Sequence, residues 1–104
     1  MSRNKVNELF ENLKNEDRIL LNYLKAKFPV FHNSNFFYRD FQYGIIAFLE
    51  KKGIEINFNE AMELSKLLSD YYEKQGIFIR NSTQSWKINY PEFITTKPGD
   101  PFSF

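Results

Sequence analysis

His32 is the only histidine in the chain, and there is no cysteine. A histidine base or metal centre would need carboxylates brought to it from elsewhere, so a surface or loop-packing role is the simpler reading of His32. Glu60 and Glu63 stand one turn apart, as do Asp70 and Glu73. A general acid and base need burial and opposed environments, whereas acids so spaced on an amphipathic helix ordinarily form its solvated face. Gly44, Gly53, Gly76 and Gly99 are too far apart to cradle a phosphate. Ser34, Ser65, Ser69 and Ser82 have no recognisable base, and without thiols neither a thiolate nucleophile nor a disulfide framework is available. The chain therefore reads as a non-enzyme, with no catalytic residue, no metal site and no cofactor expected.

Two other kinds of residue could make contacts. The basic candidates are Lys51, Lys52, Lys66, Lys74, Arg80 and Lys87, which would meet phosphates or anionic head groups if the partner were DNA or a membrane. Arg80 and Lys87 are expected near each other across a hairpin, as a small positive ridge. Yet the formal charge is only +1, which denies the protein the broad attraction to polyanions that many nucleic-acid binders use. Residues 57 to 76 hold Glu60, Glu63, Asp70 and Glu73 against Lys66 and Lys74, four acids to two bases. An acidic outward side is expected there, which disfavours nucleic acid. The second kind is aromatic: twelve Phe, six Tyr and one Trp are more than so short a chain can hide. Phe36, Phe37 and Tyr38 read as adjacent positions of one helix, so they cannot all face inward, and Phe102 and Phe104 lie in a proline-rich tail. These five are the candidate partner-binding residues, with core use and partner use both open.

The elements that must position them begin with the stretch from Asn57 to Tyr90. Asn57-Phe58-Asn59-Glu60 fits a capping box, so a helix starts near Phe58. Ala61, Leu64, Leu67, Leu68 and Tyr71 line its apolar face, and Lys74-Gln75-Gly76-Ile77 ends it. Strands are predicted at Ile77–Arg80 and Ser85–Tyr90 around a turn at Asn81–Gln84, with Pro91 closing the hairpin. Upstream, Val6, Leu9, Phe10 and Leu13 form a helical stripe, and Asn15-Glu16-Asp17 reads as a new cap. Two helices, or one bent helix, fit equally. Leu20, Leu21, Leu24 and Phe28 continue the pattern until Pro29 stops it. Val30 to Asn35 is a connector, with a short extended piece at Val30-Phe31. Asn33-Ser34-Asn35 offers caps for a helix carrying Phe37, Phe41, Ile45, Phe48 and Leu49 on one face, ended by Lys51-Lys52-Gly53-Ile54. Gly44 inside it costs about 1 kcal/mol relative to alanine, which close helix approach would explain. Ile54 and Ile56 suggest a little extended structure.

The fold class expected is mostly α with a small β-hairpin. Residues 1–14 form an N-terminal helix or helix extension, 15–93 the domain, and 94–104 an irregular tail. Three helices and an immediate hairpin, preceded by the extra helix, resemble the winged-helix superfamily. Within it, residues 41–90 resemble a DEP domain, through Ile45-Ile46-Ala47-Phe48-Leu49, Asn59 to Leu68, Gln75-Gly76-Ile77 and Trp86 to Tyr90. The resemblance implies a non-enzymatic module that docks on partner proteins or anionic membrane. A cytoplasmic protein-interaction module is therefore expected, with a homodimer as one form of that partnership. The alternative is a DNA-binding regulator that uses the helix 58–75 and the wing 77–90. No apolar run of membrane-spanning length occurs.

Overall fold

A computed structural model of the chain describes residues 2–28 and 32–90. Four helices dominate: α1 (Ser2–Asn15), α2 (Asp17–Lys27), α3 (Tyr38–Lys51) and α4 (Phe58–Lys74). Three short strands, β1 (Asn35–Phe37), β2 (Phe78–Ser82) and β3 (Ser85–Ile88), form one antiparallel sheet in the order β1-β3-β2. The tail 94–104, with Phe102 and Phe104, lies outside the described residues, as do Pro91 and the extended piece expected at Val30-Phe31.

Local signals account for most element ends. Asn57 accepts from the Glu60 amide at 2.8 Å and Glu60 accepts from the Asn57 amide at 2.9 Å, which completes the capping box of α4. Both helix stops close the same way. Gly53 and Gly76 take positive φ of 80° and 79°, and the amides of Ile54 and Ile77 reach back to the carbonyls of Leu49 and Tyr72. α1 and α2 are two helices, separated by Glu16 alone, whose side chain pairs with Lys52. Phe28 is extended (φ −125°, ψ 157°), as the proline after it demands.

The connector after α2 departs from expectation. Asn33 takes a positive φ of 71° instead of capping a helix, and Asn35, Phe36 and Phe37 pair with Lys87, Trp86 and Ser85. Phe36 and Phe37 are thus strand residues, and α3 starts only at Tyr38. Pairing with a strand some fifty residues later satisfies this backbone and buries Phe36 against Trp86, a non-local gain that outweighs three nearby capping residues. The 54–56 link has no strand. In the hairpin, Phe78 faces Ile88, Ile79 faces Lys87 and Arg80 faces Trp86, with a register shift before Ser82. Asn81 sits at that irregularity and donates to Asn35 while accepting from Ser85.

The core is aromatic at its centre. Phe36, Phe41, Tyr72, Phe78 and Trp86 are all buried, and the Phe78 ring lies 4.9 Å from both Tyr72 and Trp86. Val6, Leu9 and Leu13 join the same core, so α1 is integral to it and lies along α4. With α1 on one flank and α3 and the sheet on the other, α4 buries a wider arc than its leucines suggest. Tyr72 is fully buried and Tyr71 only partly, the reverse of the emphasis its spacing gave. Gly44 permits close approach of α2 and α3: a Cβ there would overlap Leu24 Cδ2 and press on Phe28.

Candidate functional site

The charges on α4 are not arranged as the sequence implied. Glu60 is buried in the capping box with Lys5 3.6 Å away. Glu73 turns toward the hairpin, where its Oε2 accepts from the Trp86 indole N–H and from Arg80, both at 2.8 Å. What remains outward is Glu63, Lys66, Asp70 and Lys74, a balanced strip and not an acidic one. The positive ridge is also absent. Arg80 lies opposite Trp86, with its guanidinium 5.7 Å from the indole, whereas Lys87 lies opposite Ile79 on the other face of the sheet. Alternation along a strand separates neighbours in register by one residue onto opposite faces. Lys52 is taken by Glu16, while Lys51, Lys66, Lys74 and Lys87 make no ion pair among the described residues.

His32 packs a loop: its Nδ1 accepts the Tyr90 amide at 3.1 Å and fixes the chain just past β3. Among the described residues no group of three or more His, Cys, Asp and Glu could hold a metal ion, and no helix is long and apolar enough to cross a membrane. Asp17 gathers two tyrosines. Tyr71 donates to its carboxylate at 2.8 Å and Tyr72 to its carbonyl at 2.9 Å. The hydrogen bond to Asp17, then desolvation, raises the Tyr71 hydroxyl above its ordinary pKa; burial raises that of Tyr72 further.

The surface feature that stands out is a groove of about 640 Å³ where the start of α3 meets the start of α4 beside the hairpin turn. Phe37, Phe58 and Met62 line it, and they are 52%, 52% and 41% exposed. They make up half of the large apolar side chains exposed among the described residues. Tyr38 forms part of the wall, with its hydroxyl 3.3 Å from Ser65 Oγ, and Tyr38 also borders a smaller hollow that holds Lys66 and Arg80.

Two polar features of the groove are unusual. Gln42 is only 5% exposed, lines the groove, and has no hydrogen-bond partner among the described residues. Buried amides nearly always have partners. The second is the start of α3, where strand residue Phe37 occupies the N-cap position and offers no side-chain acceptor. The Tyr38 amide reaches the Gln84 carbonyl at 2.8 Å, but the next amides, of Arg39 and Asp40, have no partner among the described residues. Arg39 is exposed and unpaired among the described residues.

The predicted aromatic triplet is thereby divided. Phe36 is 2% exposed in the core and unavailable to a partner, whereas Phe37 and Tyr38 reach the groove. Sequence reasoning missed Phe58, Met62, Gln42 and Arg39. The usable signal was Phe58 and Met62 at i and i+4, a second apolar row beside the leucine stripe of α4. Comparison of the chain with protein-family models, with curated proteins and with solved structures finds no match.

Proposed function

We propose that the protein is a winged-helix module that binds other polypeptides through the groove between α3 and α4. The order helix, strand, helix, helix, hairpin from α2 onward, with β1 pairing the last strand, supports the winged-helix reading. The observation that carries the functional reading is the gathering of Phe37, Phe58 and Met62, all exposed, in one groove. A duplex-binding face is built of cations and polar groups that meet phosphates and base edges. Here the outward strip of α4 has as many acids as lysines, Arg80 is held by Glu73, and Lys87 points elsewhere. Aromatic and methionine side chains are what interfaces between proteins concentrate.

Mixed-sequence duplex DNA, titrated at low and then at moderate salt, tests the choice. No binding at moderate salt is expected, together with cross-links to polypeptide from a photoreactive residue at position 62. Tight DNA binding that falls steeply with salt and is lost in a Lys66→Glu variant would overturn the reading.

A further inference from the structure

We infer that the groove between α3 and α4 is also a binding site for a small uncharged heterocycle of the purine nucleoside class. The inference stands beside the protein-binding reading and does not rest on it. It starts from Gln42, which is 5% exposed, lines the groove and has no hydrogen-bond partner among the described residues. A buried amide costs stability until something answers it. Its carboxamide presents an acceptor oxygen beside two donor hydrogens, so one molecule satisfies it by carrying a donor and an acceptor side by side on one edge. The amino group and ring nitrogen of adenine do this, the pairing that glutamine makes with adenine generally. The N–H and C=O of hypoxanthine do it too. A trans peptide group points its N–H and C=O to opposite sides, and so answers one function at a time.

The walls suit the same class. The groove's volume of about 640 Å³ lies within the range of small-molecule sites, roughly 300–1,000 Å³. Phe37 and Phe58 are each half exposed and offer ring surface on which a flat base can stack, and Met62 adds a polarisable thioether. The charges argue against recognition of a phosphate. Arg39 stands next to Asp40 on the groove wall, and Lys66 shares the hollow between α1 and α4 with Glu63 and Asp70. Arg80 is held by Glu73. The start of α3 attracts anions, but Asp40 already supplies a carboxylate in that first turn. With the charges balanced, recognition falls to the base.

The test is a titration of the isotope-labelled full chain with adenosine, inosine, purine riboside and adenosine monophosphate, followed by amide and methionine methyl resonances. Purine riboside keeps the ring system and the sugar but has no donor on its base. Adenosine and inosine are expected to shift the Gln42 side-chain amide and the Met62 methyl group. Purine riboside should bind roughly fivefold more weakly, the worth of one hydrogen bond, and adenosine monophosphate no more tightly than adenosine. The comparison of ligands uses the unaltered chain. In addition, Gln42→Met should bring adenosine down to the level of purine riboside or below, and Met62→Lys should weaken all four. Equal binding of adenosine and purine riboside would overturn the inference, because Gln42 would then read nothing. Much tighter binding of the monophosphate than of adenosine would overturn it as well, and so would groove resonances that ignore all four compounds. None of these results touches the cross-links from position 62 or the DNA titration, which decide the protein-binding reading separately.

Discussion

The unused carboxamide of Gln42 makes replacement by methionine a sharp test of the groove. Methionine keeps the unbranched length of glutamine, so the side chain's bulk is retained while the polar atoms are removed. A buried donor or acceptor without a partner costs about 1–3 kcal/mol, and at 5% exposure water can relieve only part of this at Gln42. The lower half of that range, about 1–2 kcal/mol of added stability, is therefore expected for Gln42→Met. For a domain of this size each kcal/mol moves the thermal midpoint by roughly 4–8 °C. Thermal unfolding followed by circular dichroism should show that rise, and urea unfolding should show a higher midpoint at unchanged slope. The same variant should bind adenosine less well, so stability and binding move in opposite directions. An unchanged or lowered midpoint would refute the reasoning, since it would mean that the amide already has partners in the free protein.

Three further outcomes follow from the packing. Gly44→Ala gains about 1 kcal/mol of helix propensity but drives a methyl into buried Leu24, an overpacking cost of about 1–3 kcal/mol; a net loss is expected in urea unfolding, and a gain would show that α2 moves freely. Glu73→Gln keeps an acceptor for the Trp86 indole, whereas Glu73→Ala leaves it buried and unpaired; the alanine variant should lose about 1–3 kcal/mol more than glutamine and alter tryptophan fluorescence, and equal losses would deny the indole hydrogen bond its role. Tyr71 and Tyr72 both have raised pKa values in the folded protein, so their contribution is complete below the unfolded tyrosine value of about 10 and is lost as pH climbs above it. Absorbance at alkaline pH should show Tyr72 ionising only as the protein unfolds and Tyr71 later than an exposed tyrosine, and early, independent titration of Tyr72 would contradict its burial.

What could be read from the sequence was what neighbours in the chain decide. Asn57 and Glu60 announced a helix start, and Gly53 and Gly76 announced two helix ends, because each of these motifs closes its hydrogen bonds within six residues. β1 escaped because its partner is β3, and nothing local distinguishes Asn33-Ser34-Asn35 as a turn into a strand from the same residues as a cap. The charges of α4 could be counted but not aimed: that Glu73 would serve Trp86 depends on where the hairpin folds. A smaller part of the groove was legible, in Phe37 and Tyr38. The rest needed two helix starts to be brought side by side, and Gln42 became conspicuous only once its surroundings were known to leave it alone.

The clasp at Asp17 bears on how the chain is made. Its two tyrosine hydroxyls come from residues 54 and 55 positions later, so during synthesis this contact can close only once α4 is nearly complete. Until then α1 also lacks the helix it lies along, and its Val6, Leu9 and Leu13 wait for their place in the core.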